Sequence, residues 1–286
     1  MELIKKELPK NYELIQCGDL HLGSPNCSED SIQEMIEYVG SKENVYLVNV
    51  GDNIEAISPR DKRFAFSNTK YQTTQQQADR VIDLFLPIRE KILAWGMGNH
   101  EAVQMQTCDW GKYISDAIKV PYGMYCYKLE ISSRGHKLMH KYWFTHGSGH
   151  LTSNAKDDIQ REGNMKAALK GKLSRSSHAD CVYCGMGHIH KSIIVKPTVE
   201  NKLYINTDEH GNIKQHYHVL SDQTLPYIAP DSRFYVSSPS FMKLYSKPGQ
   251  GYVSYAEIAG YEPSEIGFTK IIVDDTKIVD VSNVIL

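Results

Sequence analysis

The chain has 286 residues, 41% of them hydrophobic, and its 32 lysines and arginines nearly balance 34 aspartates and glutamates, for a formal charge of −2. That is enough apolar material for one large core, and nothing in the balance calls for nucleic acid, so any attraction to a phosphate backbone would be local. No apolar run approaches the roughly 18 residues of a membrane span, Glu2, Lys5 and Lys6 occupy the place of a signal peptide's apolar stretch, and the six cysteines form no disulfide framework; a soluble, cytoplasmic protein with reduced thiols is expected.

Five short apolar runs of strand length, at 12–17, 45–50, 92–97, 142–145 and 181–186, each end in glycine or a polar residue. The first leads into Gly18-Asp19-Leu20-His21. A helix is predicted over 28–38, with Ile32, Met35, Ile36 and Val39 at helical spacing. The second run leads into Gly51-Asp52-Asn53-Ile54-Glu55. Cations and aromatics then mingle: Arg60, Lys62 and Arg63 could hold phosphates while Phe64, Phe66 and Tyr71 stack on bases, or the segment is a solvated loop anchored by Phe64 or Phe66. A glutamine-rich helix is predicted over 73–89, with Val81, Ile82, Leu84, Phe85 and Ile88 as its buried stripe.

The third run opens onto Gly98-Asn99-His100-Glu101, followed by a predicted helix over 109–118. The fourth ends at His146-Gly147. After it, residues 156–175 carry Lys166, Lys170, Lys172 and Arg175 among Asp157, Asp158 and Glu162, which suits a backbone-binding helix or an ordinary exposed one. The fifth ends at Gly187-His188-Ile189-His190. Cys181 and Cys184 lie within that run, where residues three apart face opposite sides of a strand, so they are expected to be core thiols rather than zinc ligands. Beyond His190, strands are predicted at 192–196, 202–206, 213–220, 233–237 and 270–273. His210, His216 and His218 could form a metal patch there or decorate a solvated hairpin.

Strand alternating with helix predicts a layered α/β fold, and polar ligands that gather where strands end belong at one edge of a sheet, where sites in such folds form. Two divalent ions about 3.5–4 Å apart need a bridging anionic oxygen together with imidazoles and further oxygens, and this series supplies them. The Asp19/His21 and His188/His190 pairs would project from one side of an extended segment. At the fourth position His150 and His140 compete with His146, which alone has the strand-then-glycine context.

The ordered motifs, spanning 18–190, resemble those of the calcineurin-like metallophosphoesterase superfamily, including its repair nucleases; residues 255–267 are also similar to phage-encoded members. The resemblance implies a four-layer αββα sandwich of two mixed β-sheets flanked by helices, with the metal site on strand-end loops. It implies a single domain over 1–286, core motifs within 12–195 and a C-terminal β-rich elaboration over 196–286. Carried over by residue, it makes Asp19, His21 and His190 ligands of one metal, Asp52 the bridge, and Asn99, His146 and His188 ligands of the second. His100 would protonate the leaving oxygen or contact the phosphate. Glu55 and Glu101 stand where aspartate is common, and are expected to orient the histidines.

The implied reaction is in-line attack by metal hydroxide on a phosphoester, with two Mn²⁺ as the first choice and Fe²⁺ or Zn²⁺ also suited to N/O ligands. A phosphodiesterase or nuclease acting on DNA or RNA is the leading expectation, with Arg60, Lys62 and Arg63 as substrate contacts. A phosphomonoesterase or small-molecule (cyclic) nucleotide phosphoesterase is the second, and a non-catalytic binding protein of the same fold the third.

Overall fold

A computed structural model describes residues 1–57, 70–135, 137–197, 201–219, 223–246, 257–258 and 260–286. Fourteen strands are seen: β1 (Glu2–Glu7), β2 (Tyr12–Cys17), β3 (Val45–Asn49), β4 (Ile92–Gly96), β5 (Tyr122–Met124), β6 (Cys126–Ser132), β7 (Leu138–Thr145), β8 (Tyr183–Met186), β9 (Ile193–Val195), β10 (Asn201–Thr207), β11 (Ile213–Val219), β12 (Phe234–Ser237), β13 (Gly267–Asp274) and β14 (Lys277–Ile285). The α-helices are α1 (Glu29–Ser41), α2 (Thr74–Phe85), α3 (Asn99–Ala102), α4 (Trp110–Ile118) and α5 (Asp158–Leu173). The strands form two six-stranded mixed sheets, ordered β1-β6-β7-β8-β12-β9 and β14-β13-β2-β3-β4-β5, and a separate β10-β11 hairpin.

Within the second sheet β2, β3 and β4 run parallel, as do β7 and β8 in the first, so their C-terminal ends share an edge within each sheet. The runs preceding the polar motifs are the buried central strands: Leu14, Ile15, Leu47, Val48 and Ala94 have no exposed surface. Continuous apolar sequence is what a parallel strand covered on both faces requires. One apolar cluster draws on both sheets, with Leu14, Val48 and Ile271 beside Leu129, Phe144 and Val236. A second packs Ile32, Met35 and Val39 of α1 and Ala78, Val81 and Phe85 of α2 against Ile15, Leu47 and Trp95. A third packs Leu169 and Leu173 of α5 on Cys184, Met186 and Tyr235. Burial of such side chains contributes about 1.5–3 kcal/mol each. Polar bonds also join the sheets: Tyr127 donates to the Asn49 carbonyl (2.8 Å) and Gln16 to that of Met186 (3.0 Å).

Helix α2 starts at a reciprocal cap between Thr73 and Gln76. The helix expected over 73–89 ends earlier, at Phe85, and a 3₁₀ segment Leu86–Lys91 follows. Pro87 is the reason: it has no N–H to continue the ladder and its ring would press on the carbonyl of Asp83. Strands β1, β6 and β14 were not predicted, because charges and hydroxyls alternate with their apolar residues; β6 buries every second side chain. Cys181 and Cys184 are free, buried thiols in one cluster rather than on opposite faces, since the strand begins only at Tyr183. After residue 196, β12 inserts between β8 and β9, and β13 and β14 extend the other sheet beside β2. Among the described residues no helix is long and apolar enough to cross a membrane.

Candidate metal centre

Each motif leaves a strand end in a turn that its own sequence makes possible. Asp19 follows β2, Asp52 β3, Asn99 β4, His146 β7, and His188 and His190 β8. Five of these ligand candidates hold the left-handed backbone conformation: Asp19 (φ 50°), His21 (49°), Asp52 (51°), His188 (72°) and His190 (51°). The pairs converge because both members turn, not because the segment is extended as the alternation suggested. Such conformations cost roughly 1–3 kcal/mol apiece in non-glycine residues and persist where surrounding structure fixes them, commonly at functional sites. Ladder-like bonds do the fixing: Asp19 N–H to Gly51 O (2.8 Å), His21 N–H to Asp52 O (3.0 Å) and Leu22 N–H to Asn53 O (3.1 Å). Gly98 is required because a Cβ there would collide with Asp52 Oδ1, and one at Gly187 would come to 2.5 Å from Asp19 Oδ2.

Side chains up to 171 positions apart in the chain thus meet in three overlapping clusters, Asp19/His21/His190, His21/Asp52/His100 and Asp52/His146/His188, whose ligand atoms in each lie within 4.8 Å of one another (190 − 19 = 171). His190 Nε2 is 3.3 Å from Asp19 Oδ1 and 3.1 Å from His21 Nε2. His146 Nε2 is 3.2 Å from Asp52 Oδ2 and 2.9 Å from Asn99 Oδ1, which is itself 2.7 Å from His188 Nδ1. Asp52 belongs to two clusters, and its other oxygen accepts the His100 backbone N–H (2.9 Å). Asp19, Asp52, His21 and His146 are all buried.

The hydrogen bonds behind the imidazoles decide which atoms face inward. His146 Nδ1 donates to the Val50 carbonyl (3.1 Å) and His21 Nδ1 to Glu55 Oε2 (2.9 Å), so each ring turns its Nε2 toward the cluster. An N/O donor set of this kind around one carboxylate is of the type that suits divalent ions. The acidic side chains also govern protonation here. Burial alone would raise Asp52, but the neighbouring histidines, His146 foremost, hold it far below the carboxylate range. Burial would lower His146, yet Asp52 and Asp19 lift it to about 9. His188 is pushed down by burial and by the charge of His146.

His100 is the remaining member. Its Nδ1 donates to the Glu55 carbonyl (2.5 Å), leaving Nε2 without a hydrogen bond among the described residues, and its ring stands edge-on to His21 at 4.7 Å. Burial lowers its pKa, but Asp52 and Glu55 outweigh that and the group is raised. Among the described residues Glu101 makes no hydrogen bond or ion pair with a histidine. Fully buried, it accepts the N–H groups of Asn53 (2.6 Å) and Gly98 (2.7 Å), tying the Asp52 loop to the Asn99 turn. Burial raises its pKa.

The rival histidines lie elsewhere: His140 is bonded to the Tyr12 and Tyr142 hydroxyls, and His150 is exposed. Neither His210 nor His216 enters a cluster of metal-ligand type among the described residues; the His218 side chain lies outside them. Arg60, Lys62 and Arg63, with Phe64 and Phe66, also lie outside the described residues. Lys70 and Tyr71 bind Glu29, as does Arg80 (3.2 Å). On α5, Lys166 pairs with Glu162 and Lys170 with Asp231, as befits an ordinary exposed helix. Lys172 Nζ lies beside Gly149, and Lys191 donates to the Leu151 carbonyl (2.9 Å). Sequence gave no sign of Tyr125, whose ring stands edge-on to His146 at 5.6 Å and whose hydroxyl donates to Gly147 O (2.6 Å).

No family model matches the chain, and no curated protein does. Among solved structures it is similar to one described as "GAP50 the anchor in the inner membrane complex of Plasmodium", at 12% identity over 96% of this chain and 89% of that one, with a TM-score of 0.33. A likeness of that size carries no argument about fold or function.

Proposed function

We propose that this chain is a two-metal phosphoester hydrolase of the calcineurin-like metallophosphoesterase type, a single four-layer αββα domain acting on phosphodiesters, with nucleic acid as the substrate class. The observation that carries the reading is the place of Asp52 Oδ2, 3.2 Å from His146 Nε2 and 3.9 Å from His21 Nε2, between the Asp52/His146/His188 cluster and the Asp19/His21/His190 cluster to which His21 belongs. Asp19, His21, His190 and Asp52 would hold one ion; Asp52, Asn99, His146 and His188 the other. The resemblance makes Mn²⁺ the first choice, and Fe²⁺ and Zn²⁺ also suit these N/O donors. When bound, the ions supply Lewis acidity at the phosphoryl oxygens and lower the pKa of water to furnish a nucleophile near neutral pH.

The chain's own residues do the rest. Val50 O and the Glu55 carboxylate keep His146 and His21 in the tautomers that present Nε2 inward. Glu101 ties the loop of Asp52 to the turn of Asn99. His100, its Nδ1 engaged, has Nε2 left to give a proton to the departing alkoxide. Lys191, next to His190, and Lys172, beside the loop after His146, would supply positive charge for the flanking phosphates of a diester chain.

Hydrolysis of bis-p-nitrophenyl phosphate, labelled single- and double-stranded DNA and RNA, and p-nitrophenyl phosphate, each with added Mn²⁺, tests the reading. Cleavage of the diesters ahead of the monoester is expected. Monoester turnover alone would replace it with a phosphatase, and no hydrolysis with Mn²⁺, Fe²⁺ or Zn²⁺ would leave a metal-binding protein without catalysis.

A further inference from the structure

We infer that Gln16 is a positioning residue: its side-chain amide bolts one sheet to the other at the base of the centre and so sets how the two halves of the ligand set are spaced. This rests on the two-metal reading. The ligand candidates come from both sheets. Asp19, His21, Asp52 and Asn99 follow β2, β3 and β4 of one, whereas His146, His188 and His190 follow β7 and β8 of the other. Each proposed ion therefore takes ligands from the two sheets together. Among the described residues no strand ladder joins β2 to β8, so their spacing depends on the groups that cross the gap.

Gln16 lies on β2 just before the Asp19 turn and has no exposed surface. Its Nε2 donates to the carbonyl of Met186 (3.0 Å), the last residue of β8 before the His188 turn, and its Oε1 accepts the Tyr183 hydroxyl (2.6 Å). Leu14, on the same side of β2, belongs to the apolar cluster between the sheets together with Tyr142, Phe144 and Tyr183. An amide in such a layer is costly unless it is bonded, and this one is bonded through both its nitrogen and its oxygen. Gly185 makes room for it, since a β-carbon there would collide with Gln16 Oε1. Burial pushes the Tyr183 hydroxyl far up, which keeps it a donor. The Tyr183 ring packs on Tyr142 and Phe144 of β7, with ring centres 5.7 and 5.6 Å away, so the bolt reaches the strand that leads to His146. A second bond holds the Met186 carbonyl, from the Ser238 N–H (3.0 Å). Beyond it the His188 N–H donates to both oxygens of Asp19, at 3.0 and 2.8 Å. That crossing belongs to a ligand candidate, but Gln16 is none, so changing it takes no donor from the centre.

Gln16→Met combined with Tyr183→Phe removes both partners of one bond and leaves the Met186 carbonyl its Ser238 donor. Replacing both partners by apolar groups of similar shape is nearly neutral, so urea unfolding of the double variant should stay close to wild type. Electron paramagnetic resonance of the Mn²⁺-loaded full chain then reads the spacing, and isothermal titration of the metal-free chain reads the affinities. The wild type should show an exchange-coupled pair. The double variant should show a changed coupling and about 10–100-fold weaker binding of both ions, and Gln16→Met alone should do the same. Tyr183→Phe alone keeps the Gln16 bond to Met186 and should keep the wild-type spectrum. His140→Ala, which loosens the core away from the centre, should keep it too. Wild-type coupling and affinities in both Gln16 variants overturn the inference. An equal change in Tyr183→Phe, or in His140→Ala, also overturns it, by tracing the effect to the tyrosine or to general loosening. A wild type that binds no pair of ions overturns the two-metal reading itself, which is a separate result.

Discussion

Two groups of buried histidines lie at opposite ends of the same strands. At the start of β2 and within β7, His140 bonds to the hydroxyls of Tyr12 and Tyr142, which themselves meet at 2.9 Å. Six residues on, past the end of β7, His146 faces Asp52 and Asn99 (146 − 140 = 6). Burial presses both toward the neutral form, and at His140 it prevails, lowering the pKa to about 3. At His146 the carboxylates outweigh burial and raise it to about 9. The contrast shows that a buried histidine is not by itself a ligand. Convergence of carboxylate and amide oxygens on the ring separates the His146 cluster from a core network whose hydroxyls can both donate and accept.

Exchanging the two histidines for alanine should separate activity from stability. His146→Ala is expected to lower diester turnover about a thousandfold or more, equivalent to ~4 kcal/mol of barrier, and to abolish the rise in melting temperature that Mn²⁺ gives the wild type. His140→Ala should instead cost about 2–4 kcal/mol in urea unfolding, by cavity formation and loss of the tyrosine bonds, while turnover per folded molecule stays near wild type. The reverse pattern would mean that the two roles had been exchanged.

The smallest effect is one of pH. His140 has a folded pKa near 3 against an ordinary 6.5, so between those values the unfolded chain takes up a proton that the folded protein refuses. Its contribution is therefore constant above pH 6.5 and is lost as pH falls through the window to 3, by about 1.4 kcal/mol per unit once well inside it. Urea unfolding of the metal-free protein at pH 7.5 and 5.5 should show a smaller stability loss in His140→Phe than in the wild type. Equal slopes would show that His140 does not titrate differently on folding.

What sequence reveals and what it hides follow the same division between local and distant causes. Asp19, His21, Asp52, Asn99, His188 and His190 are legible because each sits in a short motif whose glycine permits the turn and whose preceding apolar run marks a covered strand. His146 is legible only as one of three, since what separates it from His140 and His150 is contact with Asp52 and Asn99, from elements about 94 and 47 residues earlier. The duties of Val50 O, of Glu101 and of the two groups of Glu55 depend on the meeting of separate loops, and Tyr125 has no local signature. In the fold, β2, β3, β4 and β8 stand out as apolar runs, whereas β1, β6 and β14 are disguised by polar alternation. The insertion of β12 between β8 and β9 is a matter of pairing that no local pattern encodes.

The central claim is that Asp52 joins two ions, and electron paramagnetic resonance of the Mn²⁺-loaded protein tests it most directly. The wild type should bind two Mn²⁺ per chain and show the exchange-coupled spectrum of a bridged pair, while Asp52→Ala should lose the coupling, tight binding of the second ion and all hydrolysis. Uncoupled Mn²⁺ in the wild type, or a coupled pair and hydrolysis surviving in Asp52→Ala, would contradict the account.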